Sequence, residues 1–193
     1  IRLGESSDPR KIERVVQWGD IAWSTMREAF AGAANLTLAA PDTPDLSDVT
    51  SMKRMFYDAS GLTAPNSRIG DWDVSGVTDM DQLFREAHAF NQDVGGWNVS
   101  NVTTMYGLFS QARSFNQDIS DWDVSGVENM ELLFFGAESF NQDIGDWDLS
   151  SAVSTANMFR DAHSFNQDLS GWDVSGVENM GQMFRDARSF DQD

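Results

Sequence analysis

Carboxylates are the most frequent reactive groups in this chain, and they recur at fixed intervals. Asp73, Asp123, Asp148 and Asp173 share one position of a repeat, and Asp71, Asp121 and Asp146 share another. Carboxylates stacked about 5 Å apart repel one another unless cations or water intervene. Calcium is therefore the one cofactor these columns suggest. Against it stands the lack of a D-x-D-x-D-G loop or a nonapeptide calcium repeat. Asn-Gln-Asp also recurs, beginning at Asn91, Asn116, Asn141 and Asn166, with Asp191-Gln192-Asp193 as its last copy. Two readings stand for it. The asparagines form a side-chain ladder that satisfies backbone groups at a bend, or the corner is part of a cation site.

Catalysis finds little support. His88 and His163 are the only histidines, and they occupy one repeat position three repeats apart. That is about 14 Å at strand spacing, too far to share a metal or a proton. The serines have no base beside them. Carboxylate pairs occur in every repeat, whereas an acid–base pair is one constellation with separated pKa values. The expectation is a protein without enzymatic activity. Cysteine is absent, which excludes disulfides and thiolate chemistry.

The elements that would position these columns follow from the repeat. Residues 69–193 divide into five gapless 25-residue segments, marked by Trp72, Trp97, Trp122, Trp147 and Trp172. Residues 44–68 and 18–43 are two divergent copies, and residues 1–17 form a lead-in or cap. All are expected to form one domain. Trp72-Asp73-Val74-Ser75 alternates apolar and polar, as a half-buried strand does. Met80, Leu83, Phe84 and Ala87 fall at i, i+3, i+4 and i+7, one face of a short helix that Thr78 or Asp79 would cap. One repeat has too few apolar side chains to offset the entropy of ordering it, so neighbours must stack. The expected fold is an α/β solenoid of about seven coils, each a short strand plus a short helix. A β-propeller needs about 40 residues per blade, more than this period allows. The Trp column is read as core, with an exposed ladder for stacking on sugars as the other reading.

Asp and Glu number 31 against 13 Lys and Arg, a net charge of -18. This excludes nucleic acid and anionic membrane surfaces as partners. The excess splits as 23 Asp to 8 Glu, with 11 Arg to 2 Lys. A saline habitat or a GC-rich genome accounts equally for such a bias. No apolar run is long enough to span a membrane. The chain starts at Ile1 without a signal-peptide pattern, which reads as a fragment of a longer secreted protein.

The phrase F-N-Q-D-[IVL]-x-x-W-[DN]-[VL]-S followed by V-x-x-M-x-x-[LM]-F resembles the 25-residue repeat of bacterial BspA-like leucine-rich-repeat surface proteins, found in mycoplasma surface lipoproteins and secreted proteins of the Bacteroidetes. Val16–Met26 and Pro44–Met52 resemble first copies of that repeat, and the likeness covers about residues 12–193. The resemblance implies a leucine-rich-repeat-like solenoid at a bacterial or archaeal surface that adheres to a protein or glycan. The lipoprotein cysteine and the sorting tail that some members carry are not present. Where the repeats vary, most residues are charged, but Tyr106, Leu132 and Phe135 are not. They are read either as scattered surface hydrophobes or as a contact patch for a partner. The functional expectation is adhesion by display. The alternatives are a structural spacer or fibre subunit, with end-to-end self-association through the face of the last repeat, and an ion- or ice-binding repeat surface.

Overall fold

The structure, a computed structural model, describes Asp8, residues 11–65 and residues 67–192. Most of the lead-in, Asn66 and the final Asp193 lie outside the described residues. Repeats stack in register. Single-residue parallel bridges run Ser51, Asp79, Thr104, Asn129, Ser154, Asn179, each to the next repeat. A second line joins β1 (Arg14–Val15) to β2 (Thr37–Leu38) in parallel, and Thr37 bridges on to Thr63.

The strand-plus-helix coil, and with it the α/β leucine-rich-repeat-like solenoid, is not what the chain forms. Among the described residues there is no α-helix, and the regular elements are two strands of 2 residues and a 3-residue 3-10 turn, Ile69–Asp71. The reason lies in two residues per repeat that adopt positive φ. The pairs are Glu28/Gly32, Arg54/Asp58, Gln82/Glu86, Gly107/Gln111, Leu132/Gly136, Asn157/Asp161 and Gln182/Asp186, with φ between 53° and 77°. A left-handed residue every fourth position breaks an α-helix. The segment from Met80 to Ala87 becomes successive turns instead. The N–H groups of Leu83, Arg85 and Ala87 close those turns on Met80, Gln82 and Phe84. The N–H groups of Met80, Gln82, Phe84 and Glu86 point the other way and donate to Thr104, Tyr106, Leu108 and Ser110 of the next repeat at 2.7–3.1 Å. A helix would consume those donors internally and leave nothing to bond the stack.

Asp79 caps a turn here and not a helix: its Oδ1 accepts the Asp81 N–H at 3.0 Å. The Trp72–Ser75 limb keeps its alternation, with Trp72 and Val74 buried and Asp73 exposed, without being a strand. Two amides at its end are satisfied locally, Ser75 N–H by Asp73 Oδ1 and Val77 N–H by the Val74 carbonyl. The single-residue bridges run instead through Asp79 and its equivalents, beyond this limb.

The core is built by stacking. Phe56, Phe84, Phe109, Phe134, Phe159 and Phe184 lie 5.5–5.9 Å apart in near-parallel planes. Phe90, Phe115, Phe140, Phe165 and Phe190 form a second file at 6.0–6.1 Å. Burying each ring contributes roughly 2–3 kcal/mol.

Candidate functional site

Trp72, Trp97, Trp122 and Trp147 are each only 3% exposed, and Trp172 is half-buried. The indole N–H groups of Trp97, Trp122, Trp147 and Trp172 donate to the carbonyls of Ile69, Val94, Ile119 and Ile144 in the preceding repeat at 2.8–3.2 Å. The Trp72 indole N–H, by contrast, is buried without a partner among the described residues.

The asparagines stand on the other side of the same structural task. Oδ1 of Asn91, Asn116, Asn141 and Asn166 accepts the backbone N–H of the next copy at 2.8–2.9 Å. Each also accepts the side-chain amide of the following Gln at 2.9 Å.

The acidic columns do not converge. Asp73, Asp123, Asp148 and Asp173 each accept the N–H of the serine two residues on, at 2.8–3.1 Å. The serine hydroxyl, and then its N–H, hold the carboxyls of Asp73, Asp123 and Asp173 below the usual range. Asp118 and Asp168 are lowered first by the N–H of Ser120 and Ser170 and then by their hydroxyls. Asp71 pairs with Arg68 at 2.7 Å. Asp146 lines a shallow groove of about 240 Å³ with Asp118 and Asp143. Asp121 is exposed. No group of three or more His, Asp or Glu among the described residues is arranged to hold a metal ion.

Repeats differ at the positions of Thr78, Asp79 and His88 and, on one limb, at those of Asp81, Gln82, Arg85 and Glu86. Tyr106, Leu132 and Phe135 lie here and are half-buried. Leu132 is one of the left-handed residues, at φ 57°. The Phe135 ring sits under the Arg160 guanidinium at 5.6 Å, and among the described residues no ring contact links it to Tyr106. At the Phe135 position of the preceding repeat, Ser110 is 1% exposed and its hydroxyl has no partner among the described residues.

Sequence reasoning missed a second aromatic centre on this limb. Tyr57 lies under Arg54 at 4.3 Å and Arg85 at 5.9 Å, from its own and the next repeat. The signal that could have found it is the same one that marked Tyr106, an aromatic at a variable repeat position.

Residues 24–134 and 116–193 match a family described as a Mycoplasma protein of unknown function, DUF285. The chain belongs to the DUF285 family. No curated protein and no solved structure matches it. In this DUF285 chain no helix among the described residues is long and apolar enough to cross a membrane. His88 meets the stack through its backbone, where its carbonyl accepts the Ser114 N–H at 3.1 Å.

Proposed function

We propose that this protein is a non-enzymatic interaction module displayed outside the cell, which binds a protein or glycan through the variable limb. One observation carries the reading: the variable positions on that limb hold aromatic and aliphatic side chains among charged ones, and its charges nearly balance. Six cations there, Arg27, Lys53, Arg54, Arg85, Arg160 and Arg185, stand against seven anions, Glu28, Asp58, Asp81, Glu86, Glu131, Asp161 and Asp186, leaving -1 of the total -18. The remaining surface carries -17 and repels other acidic molecules. The limb is thus the region where a partner approaches at least electrostatic cost, and Tyr57, Tyr106 and Phe135 supply aromatic contacts of the kind interfaces favour. The resemblance to BspA-like surface proteins supports adhesion and a surface location.

The test is a glycan and extracellular-matrix array with the intact chain, followed by Tyr106→Ala with Phe135→Ala. Loss of the bound ligand with an unchanged unfolding midpoint supports the reading. A spacer would bind nothing, and a regular-surface binder of ions or ice would weaken only in proportion to the number of repeats removed. Turnover of a substrate by the pure protein would refute the non-enzymatic assignment.

A further inference from the structure

The repeat 94–118 departs from its neighbours on the Trp limb, away from the variable limb. Where the others carry Asp73, Asp123, Asp148 and Asp173, it has Asn98, and where they carry Gly76, Gly126, Ser151 and Gly176, it has Asn101. The result is Asn98-Val99-Ser100-Asn101-Val102-Thr103, two Asn-x-Ser/Thr acceptors in tandem. A third, Asn35-Leu36-Thr37, lies in the first divergent repeat.

We propose that Asn98 is an acceptor for an N-linked glycan. The fold treats the three sites differently. Asn98 and Ser100 are exposed, and Asn98 Oδ1 accepts both the N–H of Ser100 at 3.2 Å and its hydroxyl at 2.8 Å. The side chain is thereby held in a turn by its oxygen, while Nδ2 has no partner among the described residues. Asn101 is tied down by the nitrogen itself, since Nδ2 donates to the Ser75 carbonyl at 2.8 Å, and the Thr103 hydroxyl donates to the Thr78 carbonyl at 3.3 Å. At Asn35 the threonine is held in β2, its hydroxyl against that of Thr63 at 3.4 Å. Only at Asn98 are the amide oxygen and the following hydroxyl joined to each other and the nitrogen left free.

The reaction needs a donor of one class, an oligosaccharide linked through phosphate to a lipid. Asn98 Nδ2 forms a bond to the anomeric carbon of the first sugar. The bond from that carbon to the phosphate oxygen breaks, the electron pair leaves with the lipid phosphate, and a base of the transferase takes the Nδ2 proton. The product keeps Oδ1, so the turn that Ser100 closes survives, and one N–H remains on the linked nitrogen. Gly96 stands two residues before Asn98, so the transferase must be one that reads Asn-x-Ser/Thr without an acidic residue there.

Occupancy in the cell rests on the extracellular reading above; acceptor competence does not, and it is tested directly. The folded chain is incubated with a purified single-subunit oligosaccharyltransferase and its lipid-linked oligosaccharide, and glycopeptides are read by mass spectrometry. A glycan on Asn98 is expected. Asn98→Asp, which restores the residue found in the other repeats and so keeps the fold, abolishes it, as does Ser100→Ala. Asp123→Asn, which completes an Asn-x-Ser acceptor with Val124 and Ser125 at the equivalent position, gains a glycan. No sugar at Asn98, sugar confined to Asn35 or Asn101, or a silent Asp123→Asn variant would overturn the proposal. Absence of the protein from the cell surface, probed by external protease, would instead remove the display reading.

Discussion

Glu86 offers a test of backbone conformation whose sign depends on the answer. It sits at φ 62° and its N–H donates to the Ser110 carbonyl at 2.8 Å, a bond that any residue except proline retains. Its side chain makes only a partly exposed ion pair with Arg85 at 3.5 Å, worth about 0–1 kcal/mol. Comparing Glu86→Gly with Glu86→Ala cancels that pair, since both lose it. The Ala variant keeps the Cβ clash of a left-handed residue, about 1–2 kcal/mol, which Gly does not have. Gly gives back about 0.5–1 kcal/mol through the greater freedom of its unfolded chain. Glycine is therefore expected to be the more stable by about 0.5–1 kcal/mol. In the short helix that the apolar spacing suggests, Ala would win by about 1 kcal/mol. Urea unfolding followed by tryptophan fluorescence measures the difference. An Ala variant more stable than the Gly variant would refute the turn assignment.

Four further outcomes are expected. Asn141→Ala leaves the Asn166 N–H and the Gln167 amide without their shared acceptor; urea unfolding should register a loss of about 1–3 kcal/mol, more than for Asn166→Ala, whose partners Asp191 and Gln192 are exposed. Trp147→Phe keeps an aromatic ring but leaves the Ile119 carbonyl without its indole donor, a cost of about 1–3 kcal/mol; Trp72→Phe, which removes an indole N–H that has no partner among the described residues, should cost less in the same assay. Asp73, Asp123 and Asp173 have folded pKa values below their unfolded ones, so the stability they contribute is present above the unfolded carboxylate value and is lost as pH falls through the folded one; NMR titration should find the Asp73 carboxyl moving up toward its ordinary value in Ser75→Ala, and no change would count against the hydrogen-bond cause. Calcium and sodium chloride at equal ionic strength should raise the melting temperature alike, because screening of the acidic surface is the common cause; a calcium-specific shift of many degrees would overturn this.

Much of the interior was legible from residue type and period. Met80, Leu83, Phe84 and Ala87 are buried whether the backbone between them is helix or turn, because both return the chain to the core every three to four residues. For the same reason the spacing could not separate the two. The left-handed positions are filled by Glu, Arg, Gln, Leu, Asn and Asp as well as Gly, and no propensity marks a Gln or a Leu as left-handed in advance. The alternation of Trp72 to Ser75 misled in a similar way: burial on every second residue does not require a ladder, and Asp73 and Val74 satisfy two amides at the end of that limb.

The candidate site divides along the same line. That Tyr106, Leu132 and Phe135 break a charged pattern is visible in the letters. That Arg160 covers Phe135, and that Tyr57 is shared by Arg54 and Arg85, depends on which repeat lies above which and on where each side chain leans.

By itself the sequence determined the period, the apolar columns, the acidic surface and the positions free to vary, because those are properties of side-chain chemistry repeated at one interval. Only the tertiary structure decided the backbone between them. The N–H groups of Met80, Gln82, Phe84 and Glu86 serve the next repeat instead of their own. A bond to a neighbour in another repeat outweighs the local cost of a left-handed residue only once that neighbour is in place.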